Sequence, residues 1–285
     1  MLSIDFHTHS IVSGHAMNSI EELLRQADAN GMEGLAITDH CPGIDNTLWL
    51  IRNRLDSAGW ESRIRGPDIS HFLVFLSRYQ QPSDIKTRLF KGIECNILDS
   101  GDRGTDVPLF IADKFDVVIA SVHPLESLFT VTSREQVTER IILAMDDPID
   151  IIGHPFQKSC SPILEPLVQA AVDKGITLEL NNSSLFHKKS EVEDILSMLR
   201  LAREKGCTVS ISSDAHMSNE LGLDREIRAV LQDSRFPEEL IVNRSLSSAT
   251  EFIQERQRRR KEKKERLSPP GDGQRPSLEP ENNAV

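Results

Sequence analysis

The chain has 285 residues, 38% of them hydrophobic and 27% charged, with a formal net charge of −11. That is enough apolar material for one large α/β domain or two small ones. It is too acidic for a non-specific nucleic-acid binder, which needs a basic footprint, and no apolar run approaches the roughly 20 residues that cross a bilayer. The four cysteines, Cys41, Cys95, Cys160 and Cys207, form no C-x-x-C pair. Their scatter argues against a disulfide framework or a thiolate zinc site and for a reducing compartment. With ligand-like histidines from residue 7 onward there is no room for a removable leader, so the expected location is cytoplasmic.

Short β-branched runs alternate with helical patterns along the chain. Strands are expected at 2–7, 35–38, 89–97, 116–122, 150–153, 176–181 and 208–212. Ser19-Ile20-Glu21-Glu22 reads as a capping box, with Gly31 as the stop of the helix it opens. Further helices are expected at 133–145, at 162–174 before Gly175, at 191–205 before Gly206, and at 219–232. Residues 41–88, which hold both tryptophans, are longer than a normal βα connection. Residues 98–114 read as a polar loop. Arg256–Arg266 is a basic run continuing a terminal helix, which as a charge run reads as a solvated helix end. Residues 268–285 carry Pro, Gly, Glu and Asn with little to bury and read as disordered. The expected organisation is one domain over 1–254 and a tail over 255–285, basic and then Pro/Glu-rich.

Seven of the nine histidines fall at strand ends or just past the first one: His7, His9, His15, His40, His123, His154 and His216. Glu94 and Asp214 occupy equivalent places. Every expected strand delivers a polar residue to its C-terminal end, and only a closed barrel brings all those ends to one mouth. The expected fold class is therefore α/β, a seven-stranded (βα)7 TIM-like barrel with the site at the C-terminal mouth. Residues two apart in a strand share a face, so His7 and His9 project together with Asp5 behind them, while Phe6 and Thr8 point away. Seven imidazoles and two carboxylates exceed the donors of one ion and suit two or three. Imidazole and carboxylate without thiolate favour zinc, manganese or iron over calcium or magnesium.

His7-x-His9, His15, Thr38-Asp39-His40, Glu94, His123, Gly153-His154-Pro155 and Asp214-x-His216 together resemble the PHP (polymerase and histidinol phosphatase) superfamily, in its stand-alone histidinol-phosphatase-like phosphoesterases. Leu178-Glu179-Leu180-Asn181-Asn182-Ser183 is similar to that group's strand-six motif. The resemblance implies a distorted seven-stranded (βα)7 barrel and a trinuclear site. One ion would be held by His7, His9, Glu94 and Asp214, a second by Glu94, His123 and His154, and a third by His15, His40 and His216. Glu94 and Asp214 would be the catalytic carboxylates, and a metal-bridging hydroxide would attack the phosphorus of a small phosphorylated substrate. Arg103, Lys158, Asn181 and His187 are candidate substrate contacts. His71, among apolar neighbours, reads as packing. A homo-oligomer is compatible with the sequence. A nuclease-type phosphodiesterase and an amidohydrolase-like metal hydrolase are the competing readings, against which stand the acidic body and the lack of a strand-ending lysine.

Overall fold

The computed structural model describes residues 1–13, 15–40, 78–123, 129–130 and 133–267. Seven strands follow the expected runs closely: β1 (Ile4–Asp5), β2 (Gly34–Ile37), β3 (Arg88–Asn96), β4 (Val117–Ser121), β5 (Ile151–Gly153), β6 (Thr177–Asn181) and β7 (Val209–Ser212). All pair in parallel in chain order. The ring closes only beyond the ends of β1 and β7. There Thr8 and Ala215 form a parallel bridge, the His9 N–H donates to the Ala215 carbonyl at 2.8 Å, and the Asp214 N–H donates to the His7 carbonyl at 2.9 Å. The closure therefore lies at the mouth, between the segments that carry four of the candidate ligands.

Among the described residues eight α-helices surround the sheet: α1 (Ile20–Ala29), α2 (Leu109–Ala112), α3 (Arg134–Ala144), α4 (Leu164–Lys174), α5 (Asn182–Phe186), α6 (Val192–Lys205), α7 (Arg225–Ser234) and α8 (Leu246–Leu267). Ser19 and Glu22 form the capping box at α1. α4 and α6 stop at Gly175 and Gly206, whose φ values of 62° and 72° are left-handed. Two expectations change. The helix placed at 219–232 starts only at Arg225, because a 3-10 turn at Ser218–Glu220 and the left-handed Gly222 (φ 69°) come first. The loop at 98–114 contains α2 and is tied down by Arg140, whose guanidinium donates to the carbonyls of Leu98, Ser100, Gly101 and Arg103. None of the described helices is long and apolar enough to cross a membrane.

A large apolar layer packs between strands and helices, and a smaller group fills the barrel's lower interior: Ile4, Phe6, Ala36, Phe90, Val117, Ile119 and Ile151. Phe6 meets Phe90 edge-on at 6.1 Å and stacks on Phe252 at 5.9 Å. Phe6 was expected to point away from His7, but both reach the interior. Regular alternation ends with β1 at Asp5, so it does not govern the residues that follow.

Ala249, Phe252 and Ile253 of α8 belong to this inner group, so α8 plugs the bottom of the barrel. The basic run is a solvated helix end on most of its length, but two of its arginines turn inward. Arg260, 3% exposed, grips both carboxylate oxygens of Asp150 and donates to the carbonyls of Phe115 and Asp116. Arg256 is also buried and donates to the Gly175 carbonyl. These groups sit where β4, β5 and β6 begin and leave backbone acceptors unpaired, which explains why long cationic side chains are drawn in. The expected boundary at 254/255 falls inside α8. Cys41, both tryptophans, His71, most of 41–88 and all of 268–285 lie outside the described residues.

Truncating Arg260 strands a buried Asp150 carboxylate, and breaking a buried pair from one side costs about 3–5 kcal/mol. Arg260→Ala should lower unfolding stability in urea by that amount, and Asp150→Asn added to it should recover part. A loss below about 1 kcal/mol would show that the plug is not held by this pair.

Candidate metal centre

All the donors but His15 stand at or just past a strand's C-terminal end. His7 and His9 follow β1, His40 follows β2, Glu94 lies in β3, His123 follows β4, His154 follows β5, and Asp214 and His216 follow β7. His15 comes from the loop after β1. Two of these residues hold unusual backbone angles, His154 (φ 27°) and Asp214 (φ 56°). Such positions cost free energy for residues other than glycine. Here the amides are held in compensation: His154 N–H donates to Glu179 at 2.6 Å and Asp214 N–H to the His7 carbonyl. Gly153 is required for contact, since a Cβ there would sit 2.2 Å from Ser121 Oγ.

Glu94 is the centre of the cluster. Its Oε1 lies 3.3 Å from His7 Nε2, 3.4 Å from His123 Nε2 and 3.0 Å from His154 Nε2. Its Oε2 lies 3.5 Å from His9 Nε2 and 2.9 Å from His40 Nδ1. Asp214 Oδ1 is 3.2 Å from His9 Nε2, and 3.7 Å from both His7 Nε2 and His216 Nδ1. His216 and His15 approach Nε2 to Nε2 at 2.8 Å. Three sets of donor atoms lie within 4.8 Å of one another: His7, His9 and Asp214; His40, Glu94 and His123; His9, His40 and His216.

The imidazoles are aimed by what their other nitrogens touch. His7 Nδ1 lies 2.7 Å from Glu179 Oε1, and His123 Nδ1 lies 2.7 Å from Asn96 Oδ1, both acceptors. His9 Nδ1 lies 3.0 Å from Ser13 Oγ, whose own proton goes to Asp39 at 2.6 Å. In all three rings Nδ1 therefore carries a proton, and Nε2 is the atom that faces the cluster. The Nε2 atoms of His7, His9 and His123, with His40 Nδ1 and Glu94 Oε2, are buried without a hydrogen-bond partner. Buried polar atoms rarely go unsatisfied. Five of them converging on shared space, with nitrogen and carboxylate oxygen donors, fit divalent transition-metal ions.

Electrostatics agree with the geometry. Burial opposes charge on Glu94, but His7, His123 and His40 outweigh it and hold the carboxyl well below its ordinary range. Burial likewise works against charge on Asp214, yet His7 and His9 hold it low. Burial and the neighbouring His40 push His9 well below the usual imidazole value, which keeps it neutral and able to coordinate. Burial also opposes charge on His7, but the carboxylates of Glu179, Glu94 and Asp214 raise it well above that value.

The residue that sequence reasoning did not single out is Glu179. It receives His7 Nδ1, Ser212 Oγ, the His154 amide and, at 3.1 Å, the Asn181 side chain. Its signal was present: a carboxylate inside an apolar strand, two residues before Asn181 and so on the same face. Asn96 and Ser13 were also passed over. Asp5, expected behind His7 and His9, instead accepts from the backbone of His7, Ser213 and Gly222 and from Ser213 Oγ, so it fixes the segment carrying Asp214.

The four candidate substrate contacts divide. Lys158 lines a cleft of about 540 Å³ over the cluster, with Gln157, Ser159 and Lys189. Asn181 has both ends of its amide in use: Oδ1 caps α5 through Ser184 N–H at 2.8 Å, and Nδ2 donates to Glu179 and, at 3.2 Å, to Asp214. It ties Asp214 to Glu179 and to the start of α5, and both protons of its amide are committed. Arg103 and His187 are exposed and line no part of the cleft, because Arg140 draws the 98–103 loop back onto α3 and His187 turns against Phe186 beyond the end of α5. Lys189 was missed.

A parallel barrel holding a buried histidine–carboxylate cluster at its C-terminal mouth defines a metal-dependent hydrolase. The PHP domain matches residues 5–183, and the chain belongs to that family. A probable phosphatase of Caldanaerobacter subterraneus subsp. tengcongensis is 33% identical over 261 residues, covering 90% of this chain and 93% of its own. A probable phosphatase of Acetivibrio thermocellus is 30% identical, covering 93% and 97%. The histidinol phosphate phosphatase of Lactococcus lactis, complexed with zinc, L-histidinol and phosphate, shares the fold at a TM-score of 0.53 and 17% identity, over 82% of this chain and 94% of its own. A histidinol phosphatase-type structure from Listeria monocytogenes gives 0.57 at 14%, over 79% and 99%. The chain is accordingly a metal-dependent phosphatase.

Groups that orient metal-bound histidines typically contribute 10–100-fold to metal affinity. Glu179→Ala should weaken divalent-ion binding by about that factor in a competition titration against a chelator. Affinity unchanged within about twofold would remove Glu179 from the site.

Proposed function

We propose that this chain hydrolyses phosphomonoesters of small metabolites at a centre of two to three divalent ions, with zinc, manganese and iron as the candidates. The observation that carries the reading is Glu94, whose two oxygens face two different sets of imidazoles. In this reading His7, His9, Glu94 and Asp214 hold one ion, Glu94 with His123 and His154 a second, and His15, His40 and His216 a third. Bound ions would supply positive charge for the phosphate and an activated water at neutral pH.

The protein's own groups set that chemistry up. Glu94 and Asp214 supply the negative charge that lets cations sit close together. Glu179, Asn96 and Ser13 hold Nδ1 of His7, His123 and His9 and so leave their Nε2 atoms to bind ions. Asn181 holds Asp214 in register with His9. A cleft of about 540 Å³ has the size of small-molecule sites. It supports a metabolite rather than a polymer as substrate, in line with the histidinol and phosphate bound by the Lactococcus lactis protein. We place the end of the phosphoesterase domain at Leu267, since α8 supplies the floor of the barrel.

Purified protein should carry two to three transition ions per chain by elemental analysis and should hydrolyse p-nitrophenyl phosphate. Glu94→Gln keeps the size of the side chain and removes its charge. It should cost at least one ion and lower turnover about 10²-fold or more, about 2.7 kcal/mol in the barrier. One ion or fewer after reconstitution, or a Glu94→Gln protein of normal rate and metal content, would overturn the reading.

A further inference from the structure

The wall of the cleft is chemically unlike its floor. The floor is imidazole and carboxylate, whereas the wall carries two ammonium groups, Lys158 from the segment after β5 and Lys189 from the turn between α5 and α6. The two segments are fastened together, because the Lys158 N–H donates to the Lys189 carbonyl at 2.8 Å. The turn bearing Lys189 is fixed in its own right. The amides of Lys189 and Ser190 donate to the Ser184 carbonyl at 2.8 and 3.1 Å, and Lys188 adopts a left-handed φ of 56°. Ser184 in turn donates to Asn181, whose other end holds Asp214. One short run, Asn181 to Lys189, thus joins a candidate metal ligand to the cationic wall.

The ammonium groups are available. Lys189 is exposed and its Nζ has no partner among the described residues. Lys158 Nζ pairs with Glu191 at 2.6 Å, but the two side chains are 46% and 56% exposed, and pairs this open contribute little. A ligand anion could take Lys158 from Glu191 at small cost. In the phosphatase reading the scissile phosphate sits over the floor, which leaves the wall cations for another part of the substrate.

We infer that Lys158 and Lys189 form a subsite for a second anionic group of the substrate, so that the preferred phosphomonoesters carry a carboxylate or another phosphate away from the bond that is cleaved. The inference rests on the phosphatase reading above for the first phosphate. It also separates this chain from a histidinol phosphatase: L-histidinol phosphate presents an ammonium where this wall would repel it.

The test uses esters matched in length and differing at the far end: 6-phosphogluconate, sorbitol 1,6-bisphosphate and sorbitol 6-phosphate, with L-histidinol phosphate as the cationic arm. Dissociation constants on the metal-loaded protein come from titration calorimetry, and kcat and KM from phosphate release. The two anionic probes should bind about tenfold tighter than sorbitol 6-phosphate, and L-histidinol phosphate weakest. A carboxylate-only or phosphate-only advantage names which anion the wall reads. Lys158→Met and Lys189→Met, which keep the stems and remove the charges, should each erase most of that advantage, chiefly through KM. Glu191→Gln should widen it several-fold by releasing Lys158, a gain that damage to the fold would not produce. Equal constants for anionic and neutral probes, or equal losses for both in the lysine variants, would overturn the subsite. Turnover without anion preference rejects the subsite alone. Anion preference in binding without turnover of any ester supports the subsite and rejects the phosphatase reading.

Discussion

Glu94 is fully buried and surrounded by five imidazoles, and a carboxylate so placed must be compensated by positive charge. Charge on the imidazoles, on His7 above all, offsets it, and the hydrogen bonds that hold Nδ1 of His7, His9 and His123 leave their Nε2 atoms facing the carboxylate. Divalent ions that displace imidazole protons would fill the same role. The barrel's closure, its strained residues and its buried polar bonds all hold together groups that would otherwise separate.

The two ends of the barrel solve the same problem differently. At the mouth, negative charge and lone pairs face an enclosed space. At the floor, Asp150 is buried too, but Arg260 from α8 meets it directly and also satisfies two strand-end carbonyls. One end is compensated by a side chain of the same chain and is structural. The other is left for something that binds.

Much of this was legible in the sequence because strand ends and histidines coincide. The seven strands, the capping box at Ser19 and the glycine stops at 175 and 206 are local signals, and local signals survive folding. What failed depended on tertiary contact. Arg256 and Arg260 read as solvated because a charge run says nothing about a buried carboxylate over a hundred residues away. Phe6 was assigned to the wrong side because strand alternation was extended past the last paired residue. Asn181 looked like a substrate contact because its position faces the mouth, whereas both halves of its amide are taken by Ser184, Glu179 and Asp214. Lys189 lies in a turn whose direction no periodicity encodes.

The plug formed by α8 also bears on how the chain is made. The strand residues of the inner apolar group, and Asp150 just before β5, leave the ribosome long before residues 246–267 exist. Until that helix arrives, the barrel has an open hydrophobic floor and a buried-side carboxylate with no guanidinium. Domains fold largely as units during synthesis, and this one cannot complete its unit early. Helix α8 acts as the closing step of assembly, so a nascent chain halted within it exposes the inner group to chaperones and proteases after every candidate metal ligand, His7 to His216, has been synthesised.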